Sequence, residues 1–265
     1  MESKLNQKEK SIWETLAENR FSTAPTHARF TRMCGKFRYF ASWAEVHEFS
    51  EPLIARASNL PEAVATPMAT APVLHLAADG QRQASRMRWG FTQEHQGRHF
   101  PKHIHARNDR LQDSPLWRPH FEARRGLLIV TSFNEGEEVA TYKPDRVTPT
   151  GNTRTRQWTI RPKDGARLAI AILYRQTEQN ELEFVMCTTK ANHGISQFVT
   201  GDPDKRMAAV LHPEDLPAWL GETSTPLPEI QALLRPYEDE GAWDMAPEGA
   251  AKNQTPPAPA QGNLF

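Results

Sequence analysis

The stretches Gly126-Leu-Leu-Ile-Val-Thr-Ser-Phe133, Arg167-Leu-Ala-Ile-Ala-Ile-Leu-Tyr174 and Leu182-Glu-Phe-Val-Met-Cys-Thr188 decide the fold class. Each is a short apolar run bounded by polar turn residues, which is the pattern of a buried β-strand. The helices that the sequence allows are brief. Ser42 and Glu45 make a capping box ahead of Val46 and Phe49, in which a hydroxyl and a carboxylate satisfy N–H groups of a first turn. Pro213-Glu-Asp215 suits another first turn, which leads to Leu220 and ends at Gly221. Strands outnumber helices and do not alternate with them, so an α+β fold is expected rather than a parallel α/β sheet.

The body that holds these strands runs over 33–245. Residues 1–32 read as an amino-terminal extension. Ile12, Trp13, Leu16 and Ala17 recur at helical spacing there, and a polar Ser-Thr-Pro stretch over 22–26 ends the pattern. Residues 246–265 carry Pro247, Pro256, Pro257 and Pro259 among small and polar residues, and such a tail cannot bury enough apolar surface to fold alone. The full length of 265 residues suits one sizeable domain with such trimmings. The longest apolar runs, such as Leu168 to Tyr174, fall far short of the roughly 20 residues that span a bilayer. No apolar segment at the start suits a secretory signal, and Cys34 and Cys187 are too few for a disulfide framework. A soluble, cytoplasmic protein without a membrane partner is the expectation.

Lys and Arg together number 32, as do Asp and Glu, so nothing attracts the whole chain to nucleic acid. The balance is local. Between Arg82 and Arg125 ten basic residues face four acidic ones, and five of the ten histidines fall there. Cations neutralise phosphates and aromatic faces take stacked bases, so this block with Trp89, Phe100, Trp117 and Phe121 suits a polyanion; a solvated surface with core aromatics reads equally well. His95, His99 and His103 have the spacing of one helical face, but Gly97 and Pro101 interrupt it and no HExxH order appears. No metal site and no cofactor are expected. GxSxG, P-loop and GxGxxG patterns are absent, which weakens hydrolase and nucleotide readings. Cys187 lies within an apolar strand and reads as a structural thiol. Cys34 stands apart, between an internal Met33 and Gly35 in Met33-Cys-Gly-Lys-Phe37.

Seven segments in order carry a resemblance. Met33-Cys-Gly-Lys-Phe37 resembles the amino terminus of the SRAP family, the SOS-response-associated peptidases or abasic-site processing proteins. Arg88-Trp-Gly-Phe91 resembles the family's RWG segment, Ile104-His-Ala-Arg107 its INAR segment, and Leu116-Trp-Arg-Pro-His-Phe121 the stretch that follows. Val130-Thr-Ser-Phe-Asn-Glu135 is similar to its ADGFYE strand end. Phe184-Val-Met-Cys-Thr-Thr189 and Lys205-Arg-Met-Ala-Ala-Val-Leu211 resemble a later strand and the HDRMPVIL segment. Order and spacing hold over about 33–220.

The resemblance implies mainly antiparallel, curved sheets in a barrel-like core with short flanking helices. It implies a sensor of abasic sites in single-stranded DNA, whose amino-terminal cysteine captures the ring-opened sugar aldehyde as a thiazolidine. By this likeness the catalytic candidates are Cys34, Glu135, His105 and Asp204, and the DNA-binding candidates are Lys36, Arg88, Trp89, Arg107, Arg118 and Arg206. Arg154 and Arg156 are further candidates for the strand. Trp89 and Phe133 read equally as core residues.

Departures from the family pattern are explicit. His105 stands where INAR has asparagine, Asp204 where HDRMP has histidine, Lys36 where an arginine follows the cysteine, and Ala208 where proline stands. Within this chain Cys34 carries an amide nitrogen, which is not nucleophilic. The thiazolidine route therefore requires a protein that begins at Cys34; the competing expectation is an extension that caps the site. Outside the body, Gln261-Gly-Asn-Leu-Phe265 resembles the QxxLF peptide that docks on the bacterial sliding clamp, with Gln261, Leu264 and Phe265 as anchors. The alternative to a covalent sensor is a non-catalytic single-strand or junction binder that recruits the clamp. A peptidase acting on protein substrates rests on the family's name.

Overall fold

The computed structural model describes residues 35–39, 63–237 and 240–248. Cys34, the capping box at Ser42, the extension 1–32 and the Gln261–Phe265 peptide lie outside the described residues. The strands begin with β1 (Phe37–Tyr39), β2 (Ala63–Ala65), β3 (Thr70–Leu76), β4 (Arg82–Trp89), β5 (Phe91–His95), β6 (Arg98–His103) and β7 (His105–Arg107). Helix α1 (Arg118–Ala123) precedes β8 (Arg125–Val130), β9 (Ser132–Tyr142), β10 (Pro149–Pro162), β11 (Leu168–Gln176) and β12 (Leu182–Lys190). Then come α2 (His193–Ser196), β13 (Arg206–Ala208), β14 (Val210–Leu211), α3 (Leu216–Leu220), α4 (Leu227–Ala232) and β15 (Trp243–Pro247). The last strand runs through Pro247, two residues past the boundary read from the proline-rich composition.

Of the three apolar stretches, β8, β11 and β12 lie side by side in one sheet, and the first stretch runs on into β9 of a second sheet. Alternation along each strand serves two cores. Leu128, Val130, Ile170, Ile172, Phe184 and Met186 face one cluster, which they share with Phe37, Phe133, Ile160 and Trp243 of a five-stranded sheet ordered β15-β10-β9-β1-β2. Leu127, Ile129, Ala171, Leu173, Val185 and Cys187 face a second cluster, covered by Phe121 of α1, Leu216 and Trp219 of α3 and Ile230 of α4. Because both faces are dry, the runs are continuously apolar rather than alternating. Burial pushes the Cys187 thiol far up, which keeps it protonated and inert.

The sheets are mostly antiparallel, with β4 and β7 lying parallel to β12. Sheet-rich α+β architecture is thus present, with helices of four to six residues. The expected barrel is matched in part: pairings run from β12 to β4, β3, β8, β11 and back to β12, while the five-stranded sheet is open. Between β3 and β11 the ring leaves no room at Gly126, where a Cβ would lie 2.8 Å from the Leu74 carbonyl and 3.0 Å from an Ile172 methyl. At Gly90, φ of +118° turns β4 into β5, and a Cβ would meet Pro101 at 2.9 Å.

Two outcomes follow from this packing. Gly126→Val should cost about 1–3 kcal/mol through overpacking, read as a lowered Tm. Burial holds the imidazoles of His75, His103 and His120 below their ordinary range, with Lys102 and Arg175 adding to it at His103 and Arg124 and Arg175 at His120. These rings bind protons less readily when folded than when unfolded, so stability is whole above about pH 6.5 and falls as the pH drops below it. Tm measured between pH 7 and 5 should decline, and His120→Gln should flatten that decline.

Candidate functional site

β1 sets the site. Phe37 lies opposite Phe133, and the Lys36 carbonyl accepts the Asn134 N–H at 2.9 Å. Continued two residues beyond the paired strand, that register brings Gly35 opposite Glu135, and strand alternation puts Glu135 on the same face as Phe133. The Glu135 side chain is fully buried. Cys34 is the next residue up the chain from Gly35, which is as near as the described residues come to it. From Phe37 the contacts continue to Trp89 at 4.9 Å between ring centroids, and from Trp89 to the His105 ring at 6.2 Å. Trp89 is fully buried, and its indole N–H donates to the Ile104 carbonyl at 3.0 Å. Phe133 is buried too. Both aromatics are core residues here and offer no platform to a base.

Two residues beyond His105, on the same face of β7, Arg107 is held between carboxylates. Its Nε and Nη2 donate to Asp109 at 3.0 and 2.8 Å, and its Nη1 donates to Asp204. The hydrogen bonds that Arg107 donates to Asp109 raise its guanidinium pKa most; burial opposes that rise, and the bond to Asp204 adds to it. Asp204 therefore sits as an exposed counter-ion of an arginine. Lys36 pairs with the Glu248 carboxylate just after β15.

Arg206 differs from Arg107 although both look basic in the sequence. It is buried, and it donates to Thr188 Oγ1 at 3.0 Å, to the Thr188 carbonyl and to Asn108 Oδ1 at 2.6 Å. Burial lowers its guanidinium pKa. Arg206 thus staples β13 to β12 and to the turn after β7, and its donors are not directed at a phosphate.

Arg88 is also away from the site. Alternation turns it to the face opposite Trp89, where it meets Glu181 and the buried Glu183 at 2.5 and 2.9 Å. Glu183 also receives Arg175 at 2.8 Å and both the N–H and hydroxyl of Thr92. Burial pushes the Glu183 carboxyl up, but these donors outweigh it and hold the group below its ordinary value. Nothing in the sequence singled out Glu183, because its four donors come from three separate strands. Arg118 is exposed on α1 and pairs with Glu122.

The histidine-bearing stretch is a hairpin of β5 and β6, not a helix. Pairing sets His99 opposite Glu94 but His95 opposite Arg98 and His103 opposite Phe91, so His99 lies on the other face from His95 and His103, and among the described residues no acidic, histidine or cysteine cluster could hold a metal. Arg98, Phe100 and Lys102 alternate onto one face of this hairpin, with Phe100 45% exposed. On the β9–β10 ribbon Arg154 is exposed, while Arg156 and the Trp158 indole both bond Glu137, at 2.8 and 2.6 Å. Trp158 rests on Phe198 with centroids 3.9 Å apart.

The described residues contain no helix long and apolar enough to cross a membrane. No curated protein matches the chain in sequence. Solved structures similar in fold include a phage-related protein from Bordetella bronchiseptica, 20% identical with a TM-score of 0.60 over 81% of this chain and 93% of that one. A protein from Bacteroides thetaiotaomicron, also 20% identical, has a TM-score of 0.62 over 81% and 91%. At these identities the likeness is one of fold. The pattern of the SOS response associated peptidase family matches residues 33–247, from the residue before Cys34 to the end of β15. The chain therefore belongs to the SOS response associated peptidase (SRAP) family.

Proposed function

We propose that this chain senses abasic sites in single-stranded DNA and links to them covalently through Cys34 as its amino-terminal residue. Membership associates the chain with the SOS response to DNA damage; the chemistry is our reading. The observation that supports it is Glu135, a fully buried carboxylate opposite Gly35, one residue from Cys34. A buried acid at that point can move the protons that the reaction needs.

The free α-amine of Cys34 adds to the C1′ aldehyde of the ring-opened sugar. Protonation of the resulting hydroxyl releases water and leaves an imine, and the Cys34 thiol then adds to the imine carbon. One water leaves, and the product is a five-membered thiazolidine joining protein and DNA. Glu135 shuttles the protons, and His105, within the same wall of side chains, assists as a second exchanging group. Asp204 acts on the rim through Arg107. A free amine requires that Met33 be removed or that the extension never be present.

Arg107, Lys36 and the hairpin stripe of Arg98, Phe100 and Lys102 supply cations and one exposed ring for the strand. The tail beyond Glu248 carries Gln261, Leu264 and Phe265 to the sliding clamp, which brings the sensor to replicating DNA. A second reading, a non-catalytic single-strand or junction binder, is favoured by one observation: Asp204, which stands where the family has histidine, is engaged as the counter-ion of Arg107.

A denaturing gel tests the chemistry. The chain engineered to begin at Cys34 should shift a single-stranded oligonucleotide bearing one abasic site, and Cys34→Ala should abolish the band. Binding without any covalent product would leave the second reading. For the tail, deletion of 261–265 should abolish capture on immobilised bacterial sliding clamp; undiminished capture refutes the clamp assignment.

A further inference from the structure

We propose that Asp204 and Glu248 are built-in phosphate mimics that occupy Arg107 and Lys36 until a DNA strand displaces them, an inference that rests on the single-strand reading above. The two cations flank the buried wall: Lys36 is next to Gly35, and Arg107 is two residues from His105. Each is held by a carboxylate distant in sequence, through the charge-assisted N–H···O geometry that a phosphate oxygen would accept.

The placement of both acids is prepared by backbone bonds that leave their carboxylates for this purpose. Asp202, itself buried, accepts the N–H of Asp204 and the N–H of Arg206, each at 3.1 Å, and Lys205 turns through a φ of +46° between them. Asp204 is thereby aimed at Arg107 by a turn that Asp202 and Arg206 already stabilise. Glu248 is anchored by its own N–H, which donates to the Gln157 carbonyl at 2.7 Å. Neither carboxylate is needed to hold its segment.

Exposure separates these pairs from the structural ones. The side chains of Lys36, Glu248, Arg107, Asp109 and Asp204 are between 27% and 51% exposed, whereas Glu183 is fully buried. An exposed pair is weak enough to exchange, so a strand that offers several phosphates at once can open it. The acids then set a threshold: a single passing phosphate gains little, and a strand seated along the whole rim gains both cations. Asp109 contributes to the same threshold at Arg107 from within its own turn.

The test is fluorescence anisotropy of a labelled single-stranded oligonucleotide with the full chain at about 0.15 M salt, near physiological ionic strength, using wild type, Asp204→Asn, Glu248→Gln and the double variant. Each single substitution should tighten binding about 2–5-fold, the scale of one exposed ion pair, and the double variant should exceed both. Adding Arg107→Ala to Asp204→Asn should erase the gain at that position. Thermal melts should shift only slightly across the set, since each substitution removes no more than an exposed ion pair. Variants that bind no tighter than a wild type that does bind overturn the proposal and leave the single-strand reading standing. No binding by any form, including the double variant, overturns the single-strand reading itself.

Discussion

Two-sided burial of β8, β11 and β12 is the constraint on which the rest depends. A strand whose every side chain is apolar must be covered on both faces, and this chain supplies different covers. Short helices close the second cluster, and the five-stranded sheet closes the first. The helices need only a few residues each, because they cap a face rather than build one. The five-stranded sheet does more, because its inner face carries Phe37, Phe133 and Glu135 against the same core.

That arrangement explains how a carboxylate comes to be buried beside the start of the body. Glu135 continues an alternation that begins with Phe133, so the packing that seats the phenyl ring also takes the carboxylate out of water. Burial of an acid is costly unless it is partnered or used, and the register brings this one opposite Gly35. His105 reaches the wall by another route, through a parallel pairing with β12 that runs past Trp89. The site is therefore assembled from β1, β7 and β9, which lie in different sheets and share one core.

Charge is sorted by depth. Arg206 and Arg88 meet buried partners and hold strands together, while Arg107 and Lys36 meet exposed carboxylates at the rim. Removing a partner from a buried ion pair costs several times what it costs at an exposed one, so only the rim pairs can be exchanged for a ligand. The basic block between Arg82 and Arg125 thus divides into staples, rim cations and a hairpin stripe, and its overall positive balance is not one surface.

Strand identity, the α+β class and family membership were legible in the sequence because they rest on local runs and ordered segments. The same segments made Cys34 and Glu135 candidates. The sequence could not tell Arg206 from Arg107, or show that neighbours Arg88 and Trp89 face opposite sides of the sheet, one in an ion network and one in the core. It held no sign of Glu183, Asp109 or Glu248 as partners, and Gly97 and Pro101 spoke against a helical face of histidines without showing the hairpin that stands there. In each case the property is burial or pairing between residues brought together by the fold, most of them far apart in the chain. Chain composition carries no record of such contacts; they exist only once strand order and register have brought the side chains together.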